Sequence, residues 1–303
     1  MNPKSNAILF DPTGARSVEH QLFGLLFACQ LSSQVFVRDT ELTKSLLQNM
    51  DPYLSGNPCN IHCFTDWMNV YEFVRGGDLL VCGFADVMTG VADRMGAEYI
   101  PIPDVPVGWH SRNIFIQKSF RRVVMLGPES SGKSYTAKYL AQKFSLPMVD
   151  EYTRFYFNFF GMQKASVTNL WPLALGQRGL EMATYLGSSF DSTLLVCDSS
   201  SLQVLVWGKL LYGVSDLSFE SFCRQDRPQH VLMMSPDIPW VADGQRANPN
   251  DRQQFFEMCK SELLELGVTF DVIDGPLANR LQTASNCIQK SINLLSDIEG
   301  SHQ

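Results

Sequence analysis

Residues Arg121-Arg122-Val123-Val124-Met125-Leu126 run directly into Gly127-Pro128-Glu129-Ser130-Ser131-Gly132-Lys133-Ser134, and this junction organises the rest of the chain. Val123 to Leu126 is a short apolar run of the kind that forms a buried strand, and Tyr135 to Phe144 carry apolar side chains at helical spacing. Strand, glycine-bearing loop and helix in that order make a phosphate-binding loop, or P-loop. Glycines at 127 and 132 let successive backbone N–H groups turn inward with no Cβ in the way, and the helix start adds partial positive charge. Lys133 is placed to reach β- and γ-phosphates of ATP, and the Ser134 hydroxyl to take one position on Mg²⁺. A glycine-rich turn without nucleotide is the competing reading, and the flanking strand and helix disfavour it.

The chain has 303 residues, which favours two domains over one. Formal net charge is −7 and the lysines and arginines are scattered, which argues against a nucleic-acid partner. No apolar run reaches the length of a membrane span and no signal-peptide pattern opens the sequence, so a cytoplasmic protein is expected. Eight cysteines, among them Cys29, Cys82, Cys197 and Cys259 inside apolar segments, read as reduced core residues. Cys59-Asn-Ile-His62-Cys63 invites a zinc reading, but no second ligand pair follows at suitable spacing and the segment is taken as structural.

Ahead of the junction, Ala7 to Phe10 reads as a strand ending in Asp11-Pro-Thr-Gly14, followed by a helix carrying Val18, Leu22, Leu25, Leu26 and Cys29. Gln34–Val37, Leu79–Val81 and Tyr99-Ile100 continue as strands, with helices over 42–50, 67–74 and 87–95 between them. That alternation predicts a parallel α/β sheet covered on both faces. Pro101, Pro103 and Pro106 mark a connector to about residue 120, so the domains are expected over 1–117 and 118–303. Asp11, Arg16, His20 and His110 to Arg112 are the polar candidates near the first turn, yet none forms a catalytic spacing, and a satisfied histidine or solvated helix face is the preferred reading.

Behind the loop, Leu146 to Val149 reads as a strand that delivers Asp150, Glu151, Tyr152 and Arg154 at its C-terminal end, where open α/β sheets bind ligands. The two carboxylates would orient or deprotonate an acceptor hydroxyl, and Arg154 would hold a phosphate or ribose oxygen; a helix cap with surface charge is the alternative. Ser192 to Asp198 is an apolar strand ending in an acid, which places Asp198 on the metal's water shell. Helices over about 153–162, 170–187 and 202–212, strands at 231–234 and 268–273, and helices at 253–266 and 278–295 complete a sheet of five strands. The polar stretch from Val241 to Arg252 is expected to be a lid whose Arg246 and Arg252 close over the phosphates.

These residues resemble the ribosylnicotinamide kinase domain of the bifunctional NadR family. The resemblance rests on Gly127 to Ser134, Glu151-Tyr-Thr-Arg154, Ala174-Leu-Gly-Gln177, Val206-Trp207 before Leu211-Tyr-Gly213, and Pro236-Asp-Ile-Pro-Trp240-Val-Ala-Asp-Gly244 with Arg246 and Arg252. It implies a Rossmann-like, nucleotidyltransferase-like N-terminal domain followed by a P-loop kinase domain. It implies ATP and Mg²⁺ as cofactors and nicotinamide riboside, or a similar nucleoside, as substrate. Gly127, Glu129, Ser130, Ser131, Gly132, Lys133, Ser134 and Tyr135 would then cradle ATP, and Ser134 with Asp198 would hold the metal. Lys133, Glu151, Asp198, Arg246 and Arg252 would be catalytic, while Asp150, Tyr152, Arg154, Gln177 and Trp240 would meet the acceptor. Tyr156 and Trp171 are further aromatic candidates for its ring, each equally readable as core.

Two departures qualify the resemblance. The adenylyltransferases of this family carry Gly-x-Phe-x-Pro-x-His-x-Gly-His, whereas Leu9-Phe10-Asp11-Pro12 leads only to His20 here, so the first domain is expected to be remodelled or inactive. Where the kinases have Asp-Thr-Asp, this chain has Asp198-Ser199-Ser200, one carboxylate fewer. A nucleotide-dependent switch protein, or a kinase of another metabolite, therefore stays open beside the kinase reading, and so does formation of a homo-oligomer.

Overall fold

A computed structural model of the chain describes residues 7–11, 18–31, 34–38, 60–64, 79–84, 92–94, 97–106, 121–162, 165–188, 194–225, 227–241 and 250–300. The expected helices over 42–50 and 67–74, most of the one over 87–95, and Arg16, His110, Ser111, Arg112 and Arg246 lie outside them. The chain divides into two compact units, Met1–Gln117 with Trp171–Ser189, and Lys118–Leu170 with Phe190–Gln303. Among the described residues no helix is long and apolar enough to cross a membrane.

In the first unit, β1 (Ala7–Asp11), β2 (Gln34–Arg38), β3 (Asn60–Phe64), β4 (Leu79–Gly83) and β5 (Glu98–Pro101) form one parallel sheet in the order β3-β2-β1-β4-β5. That is the doubly wound order expected when strands alternate with crossover helices. Ile8, Phe10, Val35, Val37, Val81, Cys82 and Ile100 are buried, as strands covered on both faces require. β3 is a strand the apolar pattern did not announce; it takes in Asn60 to Cys63 of the segment considered for zinc, whose Cys59 lies outside the described residues. His62 stacks against Phe36 of β2, with ring centroids 4.9 Å apart. Helix α1 (Val18–Leu31) follows β1 and carries the unit's buried stripe of Phe23, Leu25, Leu26 and Phe27.

The second unit is the parallel sheet β10-β9-β6-β8-β7, built from β6 (Arg121–Leu126), β7 (Met148–Val149), β8 (Leu194–Asp198), β9 (His230–Met234) and β10 (Phe270–Ile273). β6 is central, so the chain leaves it at the point where strand order reverses, the place where such sheets bind ligands. Alternate residues Val123, Met125, Leu194, Val196, Leu232 and Met234 share a core with Ala137 and Leu140 of α2 (Lys133–Phe144) and with Ala284 and Ile288 of a long C-terminal helix (Leu277–Gly300). β7 is shorter than its apolar run because Pro147 has no N–H to donate; its carbonyl still accepts from Val196, at 3.0 Å.

The remaining helices are α3 (Tyr152–Phe160), α4 (Leu170–Gly187), α5 (Ser201–Tyr212), α6 (Leu217–Gln225), α7 (Arg252–Leu266) and α8, the C-terminal helix. Trp207 of α5 stacks on Phe255 of α7, with centroids 4.2 Å apart. Helix α6 went unread in the sequence although its start is signalled: the Asp216 carboxylate accepts from Ser218 N and Phe219 N at 2.8 and 2.9 Å, an N-cap.

Candidate functional site

The loop after β6 has the backbone its glycines allow. Gly127 has φ 152°, and a Cβ there would meet the Met234 carbonyl at 2.5 Å. Gly132 sits left-handed at φ 86° as the N-cap of α2, with no side-chain cap bond. The first amides of α2 are thus left to face a phosphate rather than a protein side chain.

The tip of this loop is held from three directions. Ser130 Oγ donates to Val241 O and accepts from Val241 N, at 3.2 and 3.1 Å. Arg252, the first residue of α7, donates to Glu129 O at 3.1 Å and Ser130 O at 3.3 Å. Arg280, on α8 and almost wholly buried, donates to Ser131 O at 3.0 Å, Gly275 O at 2.8 Å and Ser235 O at 3.1 Å, and pairs with Asp237. Asp237 in turn accepts from Gly275 N at 2.6 Å. A planar guanidinium with five donors can serve this many carbonyls at once.

Arg252 thus opens a helix rather than standing in a loop, and without nucleotide its fork is engaged by loop carbonyls. Lys133 lies along the loop, its Nζ donating to Gly127 O at 2.8 Å and Pro128 O at 2.9 Å. Glu129 and Ser131 contribute through the backbone carbonyls already named, and Ser131 Oγ donates to Pro128 O at 2.8 Å. Tyr135 is exposed on the first turn of α2.

At the end of β8, Asp198 is buried and accepts a hydrogen bond from Ser134, while its Oδ1 is buried with no partner. Burial, and then the nearby Glu151 carboxylate, raise its carboxyl to about 6 against the pull of Lys133, Ser134 and Arg154. A hydroxyl and an ionisable carboxylate brought together beside a phosphate cradle fit Mg²⁺, and the unpartnered oxygen is the lone pair such an ion or its water would use. Ser199 at φ 96° turns the chain, and Ser200 caps α5 by accepting from Leu202 N at 3.3 Å. Ser200 thus supplies the cap without carrying a charge.

Glu151 follows β7 and is held on both oxygens: Gln203 Nε2 donates to Oε1 at 3.0 Å and Arg154 Nε to Oε2 at 3.2 Å. Gln203 was missed in the sequence because nothing in its spacing marks it. Its Oε1 is buried without a partner. Asp150 is exposed at the strand end.

The other expected acceptor residues differ in burial. Tyr152 has no exposed surface; it packs among Phe155 and Tyr156, so it lines no cleft. Tyr156 is core as well, accepting from Asn169 at 3.2 Å. Gln177 is buried in α4 and donates to Glu181 at 3.0 Å. Trp240 is half-buried and its ring N–H is buried with no partner. In the first unit His20 is buried in α1, with Phe84 at 4.0 Å between ring centroids and Asp104 Oδ1 3.8 Å from Nε2.

A central strand, a glycine-cornered loop and an Asp–Ser pair at the neighbouring strand end define a P-loop nucleotide-binding domain. The profile of the AAA domain family matches residues 122–280, more than half of the chain, and the chain belongs to that family. No curated protein matches it in sequence. Among solved structures, a crystal structure of NadR protein in complex with NR aligns over 97% of this chain and 98% of its own, with TM-score 0.52 and 17% identity. NadR protein in complex with NAD and AMP-PNP aligns over 94% and 95%, with TM-score 0.48 and 14% identity. Thymidylate kinase from Ehrlichia chaffeensis aligns over 57% of this chain and 98% of its own, with TM-score 0.40 and 11% identity. The likeness to the first of these is a likeness of fold.

Proposed function

We propose that the chain is an ATP- and Mg²⁺-dependent small-molecule kinase whose acceptor is nicotinamide riboside or a closely similar nucleoside. The observation that carries this reading is the buried Asp198 carboxylate, bonded to Ser134 directly beside the phosphate cradle. The motifs shared with the NadR kinases and the full-length match in fold support the choice of acceptor.

In this reading the backbone amides from Gly127 to Ser134 receive the phosphates, and Lys133 leaves the Gly127 and Pro128 carbonyls to meet β- and γ-oxygens. Ser134 and Asp198 would hold the magnesium, which when bound neutralises charge on the phosphates. Glu151, aimed by Gln203 and Arg154, faces the acceptor with Asp150 and takes the hydroxyl proton as the oxygen attacks the γ-phosphorus and ADP departs. Arg246 would supply further positive charge, while Arg252 and Arg280 keep the cradle in shape. Trp240 remains a candidate for the acceptor ring. Residues 1–117 form a nucleotidyltransferase-like domain that no longer transfers adenylate.

The test is an acceptor screen with ATP and Mg²⁺. ADP release is expected only with a nucleoside present, and Lys133→Ala should abolish it; because Lys133 is buried and donates to the Gly127 and Pro128 carbonyls, circular dichroism of the variant is recorded alongside to show that it is folded. Full activity in that variant would overturn the assignment. Hydrolysis indifferent to every acceptor would favour a nucleotide switch instead, a reading that the single carboxylate of Asp198-Ser199-Ser200 also supports.

A further inference from the structure

At the opposite end of the second sheet from the phosphate loop, three side chains from three elements converge. His230 opens β9, Asp271 is the second residue of β10 and Cys287 lies on α8. The ligand atoms of these residues all lie within 4.8 Å of one another, and among the described residues no other group of His, Cys, Asp and Glu does this. Asp271 Oδ2 is 2.8 Å from His230 Nε2 and accepts from Cys287 Sγ at 3.2 Å.

We propose that His230, Asp271 and Cys287 form a zinc site with a fourth position open to water. An imidazole, a thiolate and a carboxylate are the donor set zinc takes, whereas magnesium and calcium take oxygen alone. Bonds of about 2.0 to 2.3 Å place tetrahedral ligands roughly 3.3 to 3.7 Å apart, so small side-chain rotations bring these atoms to the required spacing. Asp271 is half-exposed, which gives a metal and its water access, and Cys287 is buried, which shields the thiolate. Ser291 Oγ donates to Cys287 O at 3.1 Å, tying down the helix turn that carries the sulfur.

Without metal, burial and then Asp271 push the Cys287 thiol up to about 12. The bonds from Cys287 and His230 hold the Asp271 carboxyl low although burial opposes them. Lys290 is the cation that faces both acids. Zinc uptake therefore displaces the thiol proton to solvent and strengthens as pH rises. Such a metal would tie the two outermost strands on this side to α8, whose Arg280 holds the phosphate loop.

The full-length protein, stripped with EDTA and titrated with Co²⁺, should develop a thiolate-to-cobalt charge-transfer band that saturates at a single equivalent and is erased by Zn²⁺. Cys287→Ser should remove the band. His230→Gln and Asp271→Asn should each weaken cobalt binding by at least about tenfold, the scale on which even outer-shell partners act. In the metal-free protein ATP binding should be unchanged in His230→Gln and Asp271→Asn, neither of which lies on α8. If Cys287→Ser fails to fold, the two less buried positions carry the test, and unchanged cobalt affinity in both would overturn the proposal. Absence of the band in the unaltered protein would overturn it too, as would its survival in Cys287→Ser, which would move the thiolate elsewhere, for instance to the exposed Cys63.

Discussion

Replacing Asp198 by Asn should stabilise the free protein and disable it at once. The carboxyl, ordinarily near 3.8, is raised to about 6, chiefly by burial and next by Glu151. That difference corresponds to about 3 kcal/mol between its two protonation states. Because the folded-state value lies above the unfolded one, the folded protein holds a proton there that the unfolded chain gives up. Asp198 thus contributes stability that is fully present below pH 3.8 and is lost as pH rises through about 6. Above that window the protein carries a buried anion with one unpartnered oxygen. Asn keeps the acceptor that Ser134 uses and never ionises. Urea unfolding should therefore show Asp198→Asn matching the parent near pH 4 and exceeding it by up to about 3 kcal/mol near pH 7.5. Acceptor phosphorylation should fall by at least about a hundredfold in the same variant. For the parent, saturating ATP and Mg²⁺ should return part of the deficit, since bound ligand favours the ionised carboxylate. Stability curves that run parallel across this pH range, or a variant weaker than its parent near pH 7.5, would refute the reasoning.

Other perturbations test the scaffold around that acid. Arg280→Ala strands Asp237 and the carbonyls of Ser131, Ser235 and Gly275, and should cost about 3 kcal/mol in urea unfolding with weaker ATP binding. Arg280→Lys restores charge without the fork and should recover less than half of the loss. Gly127→Ala sets a Cβ 2.5 Å from the Met234 carbonyl at φ 152°, and ATP affinity measured by calorimetry should drop by at least about tenfold. Incubated with nicotinamide mononucleotide and ATP, the full chain should yield no dinucleotide by chromatography, because His20 is packed on Phe84 and lies beside Asp104; a product lost in His20→Ala would contradict this.

What could be read in the sequence is what neighbouring residues decide. Strand, loop and helix from Arg121 to Phe144 are one continuous segment, and both the glycines and the apolar spacing announce it. The acid at Asp198 is likewise legible, because a buried strand must end where the polar residue begins. β3 escaped because Asn60–Phe64 is short and mixes His and Asn with its apolar residues, so burial by neighbouring strands outweighs local pattern. That Arg252 opens a helix was not legible, because a polar stretch with two arginines looks alike whether it is a loop or the start of a helix.

The groups that give the site its shape come from far along the chain. Gln203 reaches Glu151 across 52 residues, Arg252 reaches Glu129 across 123, and Arg280 reaches Ser131 across 149. No spacing rule connects such pairs, since each exists only once the parallel strands have brought the ends of β6, β7, β8 and β9 to one edge. The loop motif specifies which atoms can meet a phosphate. Its geometry is then set by buried guanidinium groups on the two helices that flank β10, which locks the cradle to the packing of the unit's C-terminal half. A change that loosens α8 should therefore reach ATP binding through Arg280 without touching any residue of the motif.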